Sequence, residues 1–208
     1  MTAPQSARPA YAALAWSAAM LALFAATSAA MFRFDLLAVL GGISFSLLLL
    51  FMAAIGALIA RHDPAQPVGW LFSLCAALVT TSIGSGSWAQ WAGGDAHLPG
   101  AVWGFWLALW PWAVGLIGFM MLLPLLFPDG RPQRRWRWLL RADLAALAAM
   151  TAVLMVQPIA VSDDDGKISN PLGVSGADSV WVAAPLVATV VAVIVRGAPL
   201  RKITRRRL

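Results

Sequence analysis

Pro124-Leu125-Leu126-Phe127-Pro128-Asp129-Gly130-Arg131-Pro132-Gln133-Arg134-Arg135-Trp136-Arg137-Trp138-Leu139-Leu140-Arg141 is the stretch whose reading decides the fold. An apolar run arrives, a Pro-Asp-Gly turn halts it, and five arginines interleaved with two tryptophans precede the next apolar run. Proline at the second turn position with Asp-Gly after it is a common β-turn composition. Tryptophan favours the boundary between hydrocarbon and water, and arginines beside an apolar span stay on the cytoplasmic side during insertion. The stretch therefore reads as a membrane–water boundary facing the cytoplasm. Arg131, Arg134, Arg135, Trp136, Arg137 and Trp138 are its candidate membrane-interface anchors. Their rings would dip into the headgroup zone and their guanidinium groups would meet lipid phosphates, each cation contributing on the order of 1 kcal/mol near an anionic surface.

Composition agrees with a membrane solvent. Of 208 residues, 61% are hydrophobic and 12% charged, and the mean hydropathy is +0.77. A soluble domain is about 45–50% apolar and about 25% charged. The excess lies in long runs, which predicts an all-α integral membrane protein forming one transmembrane domain over residues 1–208. Apolar runs place six spans at about 11–32, 36–60, 68–87, 100–127, 139–161 and 179–195, with a basic tail over 196–208. A cleavable signal peptide is the rival reading of the first run, helped by Ala29 and Ala30. Against it stand a longer apolar region than a signal's and a leading segment with a single arginine.

Charge sets the orientation. With the N-terminus inside, cytoplasmic segments hold 13 of the 15 Lys and Arg residues, leaving Arg33 and Lys167 outside. That asymmetry predicts a six-helix bundle with both termini cytoplasmic, in a bacterial plasma membrane. The net charge of +6 and pI near 11 would suggest nucleic acid in a soluble protein. Here the bases flank apolar spans, so anionic lipid headgroups are the expected partner and nucleic acid is not.

Chemistry-bearing residues are sparse. Cys75 is the sole cysteine, so no internal disulfide or cysteine metal cage forms. His62 and His97 fall on opposite sides, which separates them as metal ligands. Asp163-Asp164-Asp165 lacks the spacing and closing Glu of an EF-hand loop and reads as a solvated acidic loop. No ionisable residue stands deep inside a span, as an ion-coupled transporter would want. No serine or cysteine has a base nearby for nucleophilic catalysis. Neither an enzyme, a metal nor a cofactor is expected.

Small and polar residues read mainly as packing. Gly41, Gly42, Ser44, Ser46, Gly56 and Ala57 suit close helix contact in the second span. Thr80, Thr81, Ser82, Ser85 and Ser87 in the third can bond the i−4 carbonyl or a neighbouring helix. Residues 88–99 read as an outer loop, and 162–178 as the largest one. Pro67 suits the first turn of a helix, and Trp70 an interface. In the fourth span Trp103 and Trp106 are belt residues. Pro111 would kink the helix and free a backbone carbonyl, so Trp110, Pro111 and Trp112 are candidate pocket-lining residues, with plain packing the favoured reading.

Three motifs carry a resemblance. Gln66-Pro67-Val68-Gly69-Trp70-Leu71-Phe72 resembles an "NPIGWL" element. Leu123 to Arg131, followed by Arg134, Arg135 and Trp136, is similar to "LLFPDGR…RRW". Asn170-Pro171-Leu172-Gly173-Val174-Ser175-Gly176 resembles an "NPLGxxG" outer loop. In this order and spacing, over about residues 55 to 196, they resemble the N-terminal multi-span input region of actinobacterial-type sensor histidine kinases. The resemblance implies a sensory module. It carries over no phosphotransfer, because residues 197–208 hold no phosphoacceptor histidine or nucleotide-binding glycine boxes. The expectation is a non-catalytic membrane protein working through a ligand, a separate kinase or a second copy of itself. The alternatives are a small transporter or permease-like protein and the remnant of a full kinase.

Overall fold

The computed structural model describes residues 8–31, 36–93, 98–126, 130, 136–163 and 166–174. Six helices and one hairpin occupy them: α1 (Arg8–Met31), α2 (Leu36–His62), α3 (Pro67–Gly93), α4 (Ala101–Leu109), α5 (Pro111–Leu126), α6 (Arg137–Val156), β1 (Ala160–Asp163) and β2 (Gly166–Ser169). Taking α4 and α5 together, five helical segments are long and apolar enough to cross a membrane. The expected sixth span, 179–195, and the basic tail lie outside the described residues.

α3 is the axis of the bundle, packed by α1, α2, α4 and α5. The reason is its small side chains. Ser73, Cys75, Ala76, Thr80, Ser82, Gly84, Ser85, Ser87, Ala89 and Ala92 are all buried. Without bulk on the central helix, backbones approach closely and dispersion supplies the association energy that lipid withholds. A Cβ added at Gly84 would stand 2.7 Å from the Met20 carbonyl oxygen, and one at Gly56 would stand 2.6 Å from Ser73 N. Around this axis lie three apolar clusters. Leu21, Leu49, Cys75 and Val79 form the first. Ala10, Ala57 and Ala60 form the second, against Leu14 and Trp70. Ala113, Met150 and Leu154 join α5 to α6 in the third.

The contacts also give direction. α1 runs parallel to α3, with Trp16 beside Thr81 and Thr27 beside Ser87. α2 and α5 run against it, as Gly69 beside Ala60 and Phe72 beside Phe119 require. α6 runs against α5, with Gly118 against Leu147. The helices therefore alternate. One end of the bundle holds the start of α1, the α2–α3 corner and the α5–α6 connection; the other holds the α3–α4 corner and the hairpin.

Four boundaries depart from the sequence reading. α3 continues to Gly93 instead of ending at Ser87, because Trp88 and Ala89 pack on Gly104 of α4 and keep the segment helical. The run 100–127 is two helices, broken at Trp110, since proline cannot donate the next helical hydrogen bond. α6 stops at Val156, short of residue 161: Gln157, before Pro158, is extended (φ −63°, ψ 132°), the geometry that a following proline imposes. The supposed loop 162–178 opens with the antiparallel β1–β2 hairpin, Ala160 opposite Ser169 and Asp163 opposite Gly166, which adds strand to an otherwise helical fold.

Candidate functional site

The motif-bearing residues gather at the two ends of the bundle. At the first, Pro67 opens α3, and the Trp70 indole N–H donates to the Pro64 carbonyl (2.9 Å), fixing the short α2–α3 corner. Asp63 Oδ1 accepts from the Ala65 N–H (3.0 Å), an Asx turn that folds the same corner. Gly130 lies directly against it. Its φ of +69° is left-handed, its N–H donates to the Leu126 carbonyl (2.6 Å), and a Cβ there would overlap the Gln66 side-chain oxygen and stand 2.6 Å from Pro67 Cδ. Two of the three motifs thus meet as one joint. No periodicity could have revealed this, because 64 residues separate the partners.

Of the six interface anchors, Arg131, Arg134 and Arg135 lie outside the described residues. Trp136 is half-buried at the N-cap of α6, Arg137 is exposed, and the Trp138 ring is 61% exposed. Arg8, Arg61 and Arg141 are exposed at the same end. Asp143, on α6, is buried on the stripe that also carries Leu139, Met150 and Leu154. This is a carboxylate packed further into the bundle than an interfacial residue of the first turns would be.

The third motif sits at the opposite end and has a mechanical role. A helix leaves its last four carbonyls without intrahelical donors. The Asn170 Nδ2 group donates to the carbonyls of Met155 (3.0 Å) and Gln157 (2.7 Å), while its Oδ1 accepts from the Leu172 N–H (3.0 Å). The Val174 N–H reaches the Val156 carbonyl (2.8 Å), and the Trp106 indole N–H adds a second donor to Met155 (3.0 Å). The NPLG turn is therefore the cap of α6. Trp106, expected only as a belt residue, ties α4 to that cap.

The three candidate pocket residues have different neighbours. Trp110 packs on the α5–α6 cluster, with its indole N–H buried and without an acceptor among the described residues. Pro111 is buried at the start of α5. The Trp112 ring is 44% exposed and its indole N–H donates to the Leu109 carbonyl (2.9 Å). Trp103, Trp106 and Trp110 form a stepped aromatic ladder along α4, with centroids 6.2 and 5.7 Å apart. The break itself is repaired from α3: Ser82 Oγ accepts the Trp112 backbone N–H (2.9 Å).

The hydroxyls of α3 divide between two roles. Thr80 and Ser85 donate to carbonyls one turn back, Ala76 (2.8 Å) and Thr81 (2.6 Å). Thr81 donates to Ala77 and also accepts the Trp16 indole N–H (2.8 Å); Ser87 shares a hydrogen bond with Thr27. These pairings make a polar seam between α1, α3 and α5. Among the described residues no three His, Cys, Asp or Glu side chains converge as a metal site would require. No family model, curated protein or solved structure matches this chain.

Proposed function

We propose that this protein is a six-span input module of a bacterial plasma membrane, with both termini cytoplasmic, and that it acts without catalysis by binding a partner. The partner class is a separate kinase or a second copy of the chain, and the resemblance of the three motifs to sensor histidine kinase input regions motivates it. One observation carries the proposal. The QPVGW and FPDG corners pack on each other at the end bearing exposed Arg8, Arg61, Arg137 and Arg141, while the NPLG turn caps the other end of α6. α6 thus joins a capped outer turn to a basic cytoplasmic joint, an arrangement that can pass a shift from one face to the other. The basic end would be held by anionic lipid, to which juxtamembrane cations are drawn.

Affinity capture from native membranes, followed by deletion of the gene, tests the reading. A stoichiometric kinase or a self-complex, together with a changed phosphorylation output, is the expected result. Substrate flux through proteoliposomes with no captured partner would replace it with the transporter reading.

A further inference from the structure

We propose that the alanine face of α6 is the docking surface for the apolar segment Ser179–Val195 of this same chain, lying antiparallel to α6; the proposal rests on the six-span reading. α6 carries two stripes. Leu139, Asp143, Met150 and Leu154 are buried on one. Trp138, Ala142, Ala145, Ala149 and Ala152 recur at spacings of four and three on the other, and all five are exposed. That is the spacing of a helix–helix seam.

The exposed faces of the other helices look different. α2 shows Phe45, Leu48, Phe51 and Leu58, and α5 shows Leu116 and Met120. Large side chains of this kind suit lipid tails. A run of four alanines over about 15 Å of helix offers lipid little surface, but it lets a second backbone come close. Among the described elements, α6 packs mainly on α5 and touches α4 only slightly, so this face has no helix on it.

The occupant follows from where the chain is held. The Val174 N–H is bonded to the Val156 carbonyl and Asn170 to Met155 and Gln157, so the chain leaves the NPLG turn beside the C-terminal end of α6. Five residue steps separate Val174 from Ser179, a reach of at most about 18 Å. The apolar segment therefore starts next to α6 and, to cross back, runs alongside it. A tether this short gives it a millimolar-range effective concentration that a free second copy lacks.

Disulfide scanning decides the matter. In a Cys75→Ala background, A145C or A149C is combined in turn with a cysteine at each position from Leu186 to Val193. The protein is oxidised in native membranes, while a C-terminal reporter records the side of the tail. Disulfides require Cα atoms about 4.4–6.8 Å apart, so only facing positions react. The expected result is helical periodicity, with positions three or four apart losing free thiol at monomer mobility and the tail cytoplasmic. Disulfide-linked dimers of the A145C or A149C chain alone would assign the face to a second copy and overturn the proposal. No disulfide at any position, with the tail still cytoplasmic, would overturn the docking and leave the six-span reading intact. A tail on the outer side would overturn both.

Discussion

Gly130 stands where two demands coincide. Its backbone is left-handed, and the space a Cβ would take is already filled by Gln66 and Pro67. Left-handed backbone costs a residue with a Cβ about 1–2 kcal/mol, and overlap adds to that. Gly130→Ala should lower the thermal unfolding midpoint in detergent by several degrees. A midpoint within a degree of the parent would remove the joint between the two corners. Asn170 offers a second test. Asn170→Ala strips donors from the Met155 and Gln157 carbonyls, a loss of about 1–3 kcal/mol where the groups stay buried. Asn170→Asp keeps the acceptor for Leu172 but not the donors, so it should destabilise too. If the Asp variant matched the parent, the capping role would be wrong. Both residues were legible in the sequence as turn formers. Their partners were not, because a turn composition specifies local backbone and says nothing about which distant corner it meets.

Helix breaks and seams set the behaviour of the elements. The Trp110–Pro111 break leaves the Trp112 N–H needing an acceptor, and Ser82 supplies it from a different helix. Ser82→Ala should cost about 1–3 kcal/mol and be read as a lowered midpoint, whereas Ser82→Thr, which keeps the oxygen, should recover part of it. No difference between the two variants would mean that the break is repaired otherwise. For the α1–α3 seam, a double-mutant cycle on Thr27→Val and Ser87→Ala should show coupling of roughly 0.6 kcal/mol, the usual size for a hydroxyl pair in membrane helices. Additive effects would mean that the pair contributes nothing. At this scale the long spans were legible because twenty apolar residues have few other fates. The hairpin was not: Ala160–Asp163 is a four-residue strand entering an acidic run, too short for alternation to register, and it depends on its β2 partner, which rests on α4. The end of α3 was misplaced for a similar reason, since Trp88 and Ala89 remain helical through contacts on α4 that no window around them contains.

For the whole molecule, the arrangement of charge over two ends is the testable quantity. Alternating helices bring Arg8, Arg61, Arg137 and Arg141 to one end, and the positive-inside rule would make that end cytoplasmic. Replacing Arg134, Arg135 and Arg137 together by Glu should lower the amount of correctly oriented protein, measured by labelling of single cysteines placed in the hairpin and at Arg61. Unchanged labelling and unchanged level would show that these cations do not set orientation. The other global feature is the small-residue axis. A chain made N-terminus first delivers α1 and α2 to the bilayer before α3 exists, yet each of them packs more extensively on α3 than on the other. Early in synthesis the first two helices are therefore lodgers without a host, exposed to whatever else the membrane holds. Maturation would proceed in one step when the third helix arrives and gathers α1 and α2 before α4 and α5 close over it. A ribosome pause near the α2–α3 corner would lengthen the most vulnerable interval in the life of the protein.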